Sequence, residues 1–139
     1  MYDRILVGID GSAPSNRAVT HALEQAELAN SELHAVFVVD TSRFSEPALS
    51  STEAQTTAIE EWGTDQLAEV VERGDSLGID VVTRCCHGKP SQEIIAYADG
   101  IDADLVILGY QGQSHTETDN IGSVTDRVVQ NVGRPVMVV

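Results

Sequence analysis

Strand-like and helix-like segments take turns along this chain from end to end, and that alternation admits few architectures. A β-branched run, Arg4 to Ile9, stops at Asp10-Gly11-Ser12. A helical stretch follows from about Ala13 to Asn30, with Pro14 near its first turn, where proline's missing N–H costs nothing, and with Ala18, Ala22, Leu23, Ala26 and Ala29 near helical spacing. Leu33 to Val39, Ile79 to Cys86, Asp104 to Leu108 and Val136 to Val139 read as further strands. Between them lie helical stretches from about Glu53 to Leu77, from Gly88-Lys89-Pro90-Ser91 through roughly Gly100, and from about Gly122 to Val132. Strands and helices in alternation predict a parallel sheet wrapped by helices, because a parallel neighbour is reached only by a long crossover. The nearly continuous apolar run of the fourth strand suits a strand covered on both faces. From Asp40 to Thr52 the composition turns to Ser, Thr, Pro and Glu, which reads as a mobile loop.

At 139 residues, 42% of them hydrophobic, the chain is long enough for one core and too short for two ordinary domains, so one α/β domain over residues 1–139 is expected. No apolar run approaches the ~20 residues of a membrane span, and Tyr2, Asp3 and Arg4 do not open a signal peptide. A soluble, cytoplasmic protein is the expectation. Acidic residues number 22 against 8 basic ones, seven of those arginine and one, Lys89, lysine. A net charge of -14 repels nucleic acid and anionic lipid and argues against both as partners. It fits either adaptation to high salt, in a halophilic source, or an acidic protein from an ordinary one. Cys85 and Cys86 are adjacent, with no second cysteine pair to complete a zinc site or disulfide framework, and read as buried free thiols. His21, His34, His87 and His115 show no ligand spacing and read as ordinary polar positions.

The chemistry concentrates after the fourth strand. Gly109-Tyr110-Gln111-Gly112 is followed by nine residues and then Gly122-Ser123 at the head of a helix. Glycines after a strand let the backbone approach an anion and adopt positive φ, and the N–H groups and dipole of a helix start favour negative charge. Ser123 adds a hydroxyl donor there. As local structure alone, the same glycines turn a loop and Ser123 caps a helix. Asp10 ends the first strand, where carboxylates of doubly wound folds bind ribose hydroxyls; the alternative is a turn or helix N-cap role.

Taken together, the spacing G-x2-G-x9-G-S, the opening Arg4-Ile5-Leu6-Val7-Gly8-Ile9-Asp10-Gly11-Ser12, the helix start Gly122-Ser123-Val124-Thr125-Asp126-Arg127-Val128-Val129 and the ending Arg134-Pro135-Val136-Met137-Val138-Val139 resemble the ATP-binding universal stress proteins over the whole chain. The resemblance implies a doubly wound, Rossmann-like domain: a five-stranded parallel sheet of order 3-2-1-4-5, helices on both faces, and a ligand between the first and fourth strands. It implies that Asp10 holds the ribose, that the backbone around Val39 meets adenine, and that Gly109, Gly112, Gly122 and Ser123 bind phosphate with Val124 beside them. It further implies ATP, or ADP or AMP, as ligand, magnesium accompanying ATP, and a homodimer through the C-terminal strand, working as a sensor rather than an enzyme. The loop departs from the family pattern: Gln111 stands where many members have histidine or arginine, and residues 113–120 carry Glu117 and Asp119 with no basic residue. That weakens the case for a triphosphate and leaves two alternatives, AMP or ADP as the better ligand or a weak site.

Four alternatives compete with this reading. A dimeric interaction protein of the same fold needs no nucleotide. An ATPase, nucleotidyl transferase or kinase would call for a Walker lysine that Gly88-Lys89-Pro90 does not supply, so hydrolysis is at most slow. A phosphoacceptor domain needs an aspartate where Cys85-Cys86-His87 stands, and an electron-transfer flavoprotein subunit is longer.

Overall fold

Helix and strand alternate as expected in the computed structural model, which describes residues 2–41, 49–112 and 121–139. In chain order the elements are β1 (Arg4–Ile9), α1 (Ala13–Ala29), β2 (Glu32–Asp40), α2 (Leu49–Ser76), β3 (Val81–Gly88), α3 (Pro90–Ile101), β4 (Leu105–Leu108), α4 (Ser123–Asn131) and β5 (Val136–Val138). The five strands form one parallel sheet of order β3-β2-β1-β4-β5. β1 lies at its centre, Ile5 facing Leu33 of β2 and Leu105 of β4.

Alternation of side chains across β1 divides the core in two. Ile5, Val7 and Ile9 point to one face, where Ala18, Ala22 and Ala26 of α1 and Leu67 and Val70 of α2 cover them. Leu6 points to the other, with Ile94 and Ala98 of α3 and Val128 of α4. Small alanines let α1 approach the sheet closely, and each fully buried Ile, Leu or Val contributes roughly 1.5–3 kcal/mol. Gly8 leaves no room for a side chain on the second face: a Cβ there would stand 2.7 Å from Leu108 Cδ2.

Two polar ties set the amino end of the sheet. Asp104 Oδ2 accepts from the backbone N–H of Asp3 (2.8 Å) and of Arg4 (2.9 Å), joining the starts of β1 and β4. The Arg4 N–H, helped by that of Asp3, holds the Asp104 carboxyl below its ordinary range against the opposing pull of partial burial. Arg134 donates to Asp102 Oδ1 (2.9 Å) and the Ala103 carbonyl (2.8 Å), fastening the entry of β5 to the turn after α3.

Several expectations change. α2 begins at Leu49, inside the segment read as a loop from Asp40 to Thr52, because Ser and Thr are unfavourable in helix interiors yet suited to a first turn; residues 42–48 lie outside the described residues. β3 starts at Val81 rather than Ile79, since Gly78 (φ 71°) and the Ile79 N–H bond to the Gly74 carbonyl (2.9 Å) close α2 first. Cys85 and Cys86 are half-buried, not buried, because β3 is an edge strand. They face opposite sides of the sheet, and burial pushes both thiols up, with Glu60 adding to the effect on Cys85 and Glu93 on Cys86. His34 is no ordinary polar position: it is 6% exposed, its Nδ1 2.9 Å from the Tyr97 hydroxyl and its Nε2 2.6 Å from Glu32 Oε1, linking β2 to α3. His115 lies outside the described residues.

Candidate functional site

Strand order reverses between β1 and β4, and the chain leaves their carboxyl ends toward opposite faces: α1 packs with the first cluster, α4 with the second. Diverging connections leave a crevice at such a point. Here it is a cleft of about 670 Å³, within the range of roughly 300–1,000 Å³ usual for small-molecule sites.

One wall is the turn after β1. Asp10 Oδ1 accepts from the Ser12 backbone N–H (2.9 Å) and the Ser12 hydroxyl (2.5 Å), while the Asp10 N–H donates to the Ser15 hydroxyl (3.0 Å). The first of these is an Asx-turn, so the local role open to Asp10 is indeed exercised; the N-cap of α1 is Ser12, which accepts from the Ser15 N–H. Oδ2 faces across the cleft. A Cβ on Gly112 would lie 2.6 Å from it, so the second glycine of the signature and the carboxylate can meet only because position 112 has no side chain.

The opposite wall is formed by the described ends of the β4–α4 connection, Gly109, Gln111 and Gly112 on one side and Gly122 on the other. Gly109 packs against the start of α1, where a Cβ would stand 2.7 Å from the Pro14 carbonyl carbon, and its own carbonyl accepts from the buried Thr125 hydroxyl (2.7 Å). The Gly122 N–H donates to the Tyr110 carbonyl (2.8 Å), which sets the head of α4 beside the glycine loop. None of Gly109, Gly112 and Gly122 has positive φ, contrary to the reading that such glycines serve that purpose. Their need is steric: Gly109 and Gly112 admit backbone or carboxylate within a distance that a methyl would block, and at Gly122 a Cβ would press on Gln111 Cα at 3.2 Å.

Three helix starts reach the cleft: α3 brings Pro90, with Lys89 as its N-cap and no side-chain cap hydrogen bond, and the other two differ from each other. The first turn of α1 is occupied by its Ser12 cap and by Pro14. α4 has Gly122 as N-cap, with φ −64° and no side-chain cap hydrogen bond, and Gly122, Ser123, Val124 and Thr125 all line the cleft. An uncapped helix start offers N–H donors and a positive dipole end to an anion.

Six of the seven residues singled out in the sequence therefore line one cleft: Asp10, Gly109, Gly112, Gly122, Ser123 and Val124. Val39 does not. It is fully buried in the α1/α2-side core, and its neighbours Val38 and Asp40 line the cleft instead. Sequence reasoning missed Ser15 and Thr125, whose hydrogen bonds position Asp10 and Gly109, and the apolar wall residues Phe37, Ile59, Trp62, Pro90 and Ile94. Ser15 stands where an N-cap motif would have pointed to it; nothing local marks the others. Glu117, Asp119 and the rest of the loop 113–120 lie outside the described residues. Among the described residues lining the cleft none is Arg or Lys, and the charged ones are Asp10 and Asp40. The donor set thus suits a nucleotide held by hydroxyl-to-carboxylate and backbone-to-phosphate bonds. Among the described residues no three His, Cys, Asp or Glu side chains converge, so a magnesium ion would take its oxygens chiefly from phosphate and water.

The family model described as the universal stress protein family matches residues 1–139. A universal stress protein of Methanocaldococcus jannaschii, MJ0531, is 34% identical over 140 residues, which span 100% of this chain and 82% of that protein. The solved structure of MJ0577, from the same organism, superposes with a TM-score of 0.92 over 100% of this chain and 96% of its own; at 24% identity it speaks for the fold. A universal stress protein solved in complex with cAMP superposes with a TM-score of 0.71 at 28% identity, over 99% of this chain and 96% of its own.

Proposed function

The chain belongs to the universal stress protein family, and from that premise we propose that it is a cytoplasmic regulatory protein that binds an adenine nucleotide in the β1/β4 cleft and works as a dimeric sensor rather than as an enzyme. One observation carries this reading: Asp10, Gly112 and the uncapped start of α4 meet in a single cleft of nucleotide size. Asp10 Oδ2 accepts from the ribose hydroxyls, and the first-turn N–H groups of α4 with the Ser123 hydroxyl donate to phosphate. The similar protein solved with cAMP supports an adenine nucleotide as the ligand class.

No Arg or Lys among the described lining residues stands ready to stabilise a transferring phosphoryl group, which favours binding over rapid hydrolysis. An acidic lining, with Asp10 and Asp40 in it and no Arg or Lys among its described residues, favours AMP or ADP over ATP. It also supports a second reading, an interaction protein of the same fold that uses no nucleotide. Mass spectrometry of the small molecules released from protein purified at native salt, with calorimetry of AMP, ADP and ATP, separates the two. An adenine nucleotide released at near-stoichiometric amount, or bound in calorimetry, is expected. Its absence in both measurements leaves the interaction protein.

A further inference from the structure

The cleft has two apolar sides that phosphate binding does not use. Phe37 and Ile59, on the α1/α2 face, stand on one; Val38, Pro90 and Ile94, toward α3, on the other. Trp62 of α2, the only tryptophan in the chain, lines the cleft on the first side.

Its ring is held from two directions. It meets Phe37 edge to face, with centroids 5.7 Å apart and planes at 84°. Its six-membered ring also lies over Gly11, so that a Cβ at position 11 would stand 2.1 Å from Trp62 Cη2; Gly11 itself has φ 78°. Gly11 is the middle of the turn that orients Asp10. The indole is therefore fixed against the ribose-holding turn, yet 40% of its surface stays exposed, whereas Leu67 and Val70 further along α2 are buried. A rigid aromatic surface left open inside a concave site gains most from a flat apolar partner, and a nucleoside bound through Asp10 brings its base into reach of it.

We propose that Trp62 is the base-selecting residue of the cleft, stacking on the base and favouring the larger purine over a pyrimidine. This rests on the nucleotide reading above. α2 thereby contributes directly to the ligand, and the glycine at position 11 is required to make room for the ring.

The test uses the full chain, its single-tryptophan emission, and calorimetry with AMP, CMP and ribose 5-phosphate. AMP is expected to change the emission and ribose 5-phosphate to leave it unchanged. Trp62→Leu is expected to lower AMP affinity about tenfold, the usual order for removing an aromatic partner of a stacked base, to bring the AMP-to-CMP ratio toward one, and to leave ribose 5-phosphate binding as in the parent. Trp62→Phe should recover most of the ratio. If the leucine variant does not fold by circular dichroism, the parent's emission and the phenylalanine variant decide. AMP binding in the parent with unchanged emission, or an unchanged AMP-to-CMP ratio in a folded Trp62→Leu, overturns the role of Trp62 and leaves the nucleotide site standing. No heat with any of the nucleotides overturns both.

Discussion

Asp10 and Gly112 impose a tight constraint in the cleft, a side chain and a backbone that share one small volume. Any Cβ at position 112 must displace Asp10 Oδ2, from 2.6 Å, and with it the group proposed to hold the ribose. Gly112→Val and Gly122→Val are each expected to reduce AMP affinity at least tenfold by calorimetry while the far-ultraviolet circular dichroism stays that of the parent, since neither glycine has positive φ and neither belongs to the two hydrophobic clusters. Parent-like binding by Gly122→Val would place phosphate elsewhere. Ser15 and Thr125 act one step behind the ligand. Both are buried, and each satisfies a backbone group of the site, the Asp10 N–H and the Gly109 carbonyl. Ser15→Ala and Thr125→Val should each destabilise the fold by about 1–3 kcal/mol, the cost of a buried polar group left unpaired, read from the urea midpoint at unchanged slope.

Between elements, polar ties decide pH response and edges decide assembly. The Asp104 carboxylate joins the starts of β1 and β4, and its folded-state acidity is raised by the N–H groups of Arg4 and Asp3. A carboxyl whose folded pKa is depressed stabilises fully above its unfolded value, ordinarily 3.8, and loses that contribution as pH falls through the folded value. Asp104→Asn should therefore be less stable than the parent at neutral pH, and the difference should shrink below pH 3.8. A gap independent of pH in that window would show that packing, not charge, makes the contact. At the opposite end of the chain, β5 is an edge strand of three residues, with Val138 and, on the adjoining α4, Val129 exposed. An apolar edge with unpaired backbone groups calls for cover. Light scattering at native salt should give a homodimer, with Val138→Lys shifting it to monomer; a monomeric parent at micromolar concentration removes the β5 interface.

Net charge acts over the entire protein. At -14, with Asp10 and Asp40 in the cleft lining, the molecule repels a polyphosphate. The Debye length falls from ~30 Å at 0.01 M salt to ~3 Å at 1 M, so added potassium chloride removes the long-range repulsion and leaves the short hydrogen bonds to the α4 start. ATP affinity should rise with salt, and more steeply than AMP affinity because ATP carries more charge, over a range in which circular dichroism shows the protein folded. Equal slopes, or a loss of ATP binding with salt, would assign phosphate to arginines. Two of these, Arg4 and Arg134, are already placed at the starts of β1 and β5, the end of the parallel sheet away from the cleft.

Much of this was legible in the chain because it depends on local pattern. A β-branched run, an alanine-faced helix with Pro14 in its first turn and a glycine-bearing exit from an apolar strand each signal their element through neighbours a few residues away, and their alternation leaves a parallel sheet as the consistent packing. Asp10 and the glycines were legible for the same reason: strand ends and turns carry their residue types in sequence. The start of α2 was not, since Ser50, Ser51 and Thr52 suit a loop and a helix's first turn equally. Trp62, Ile94 and Thr125 were not, because their roles arise where α2, α3 and α4, each remote in sequence from Asp10, converge on the carboxyl ends of β1 and β4. Which residues stand at a turn is written locally. Which side chains face one another across the cleft is decided only when helices far apart in the chain pack on the two faces of one sheet.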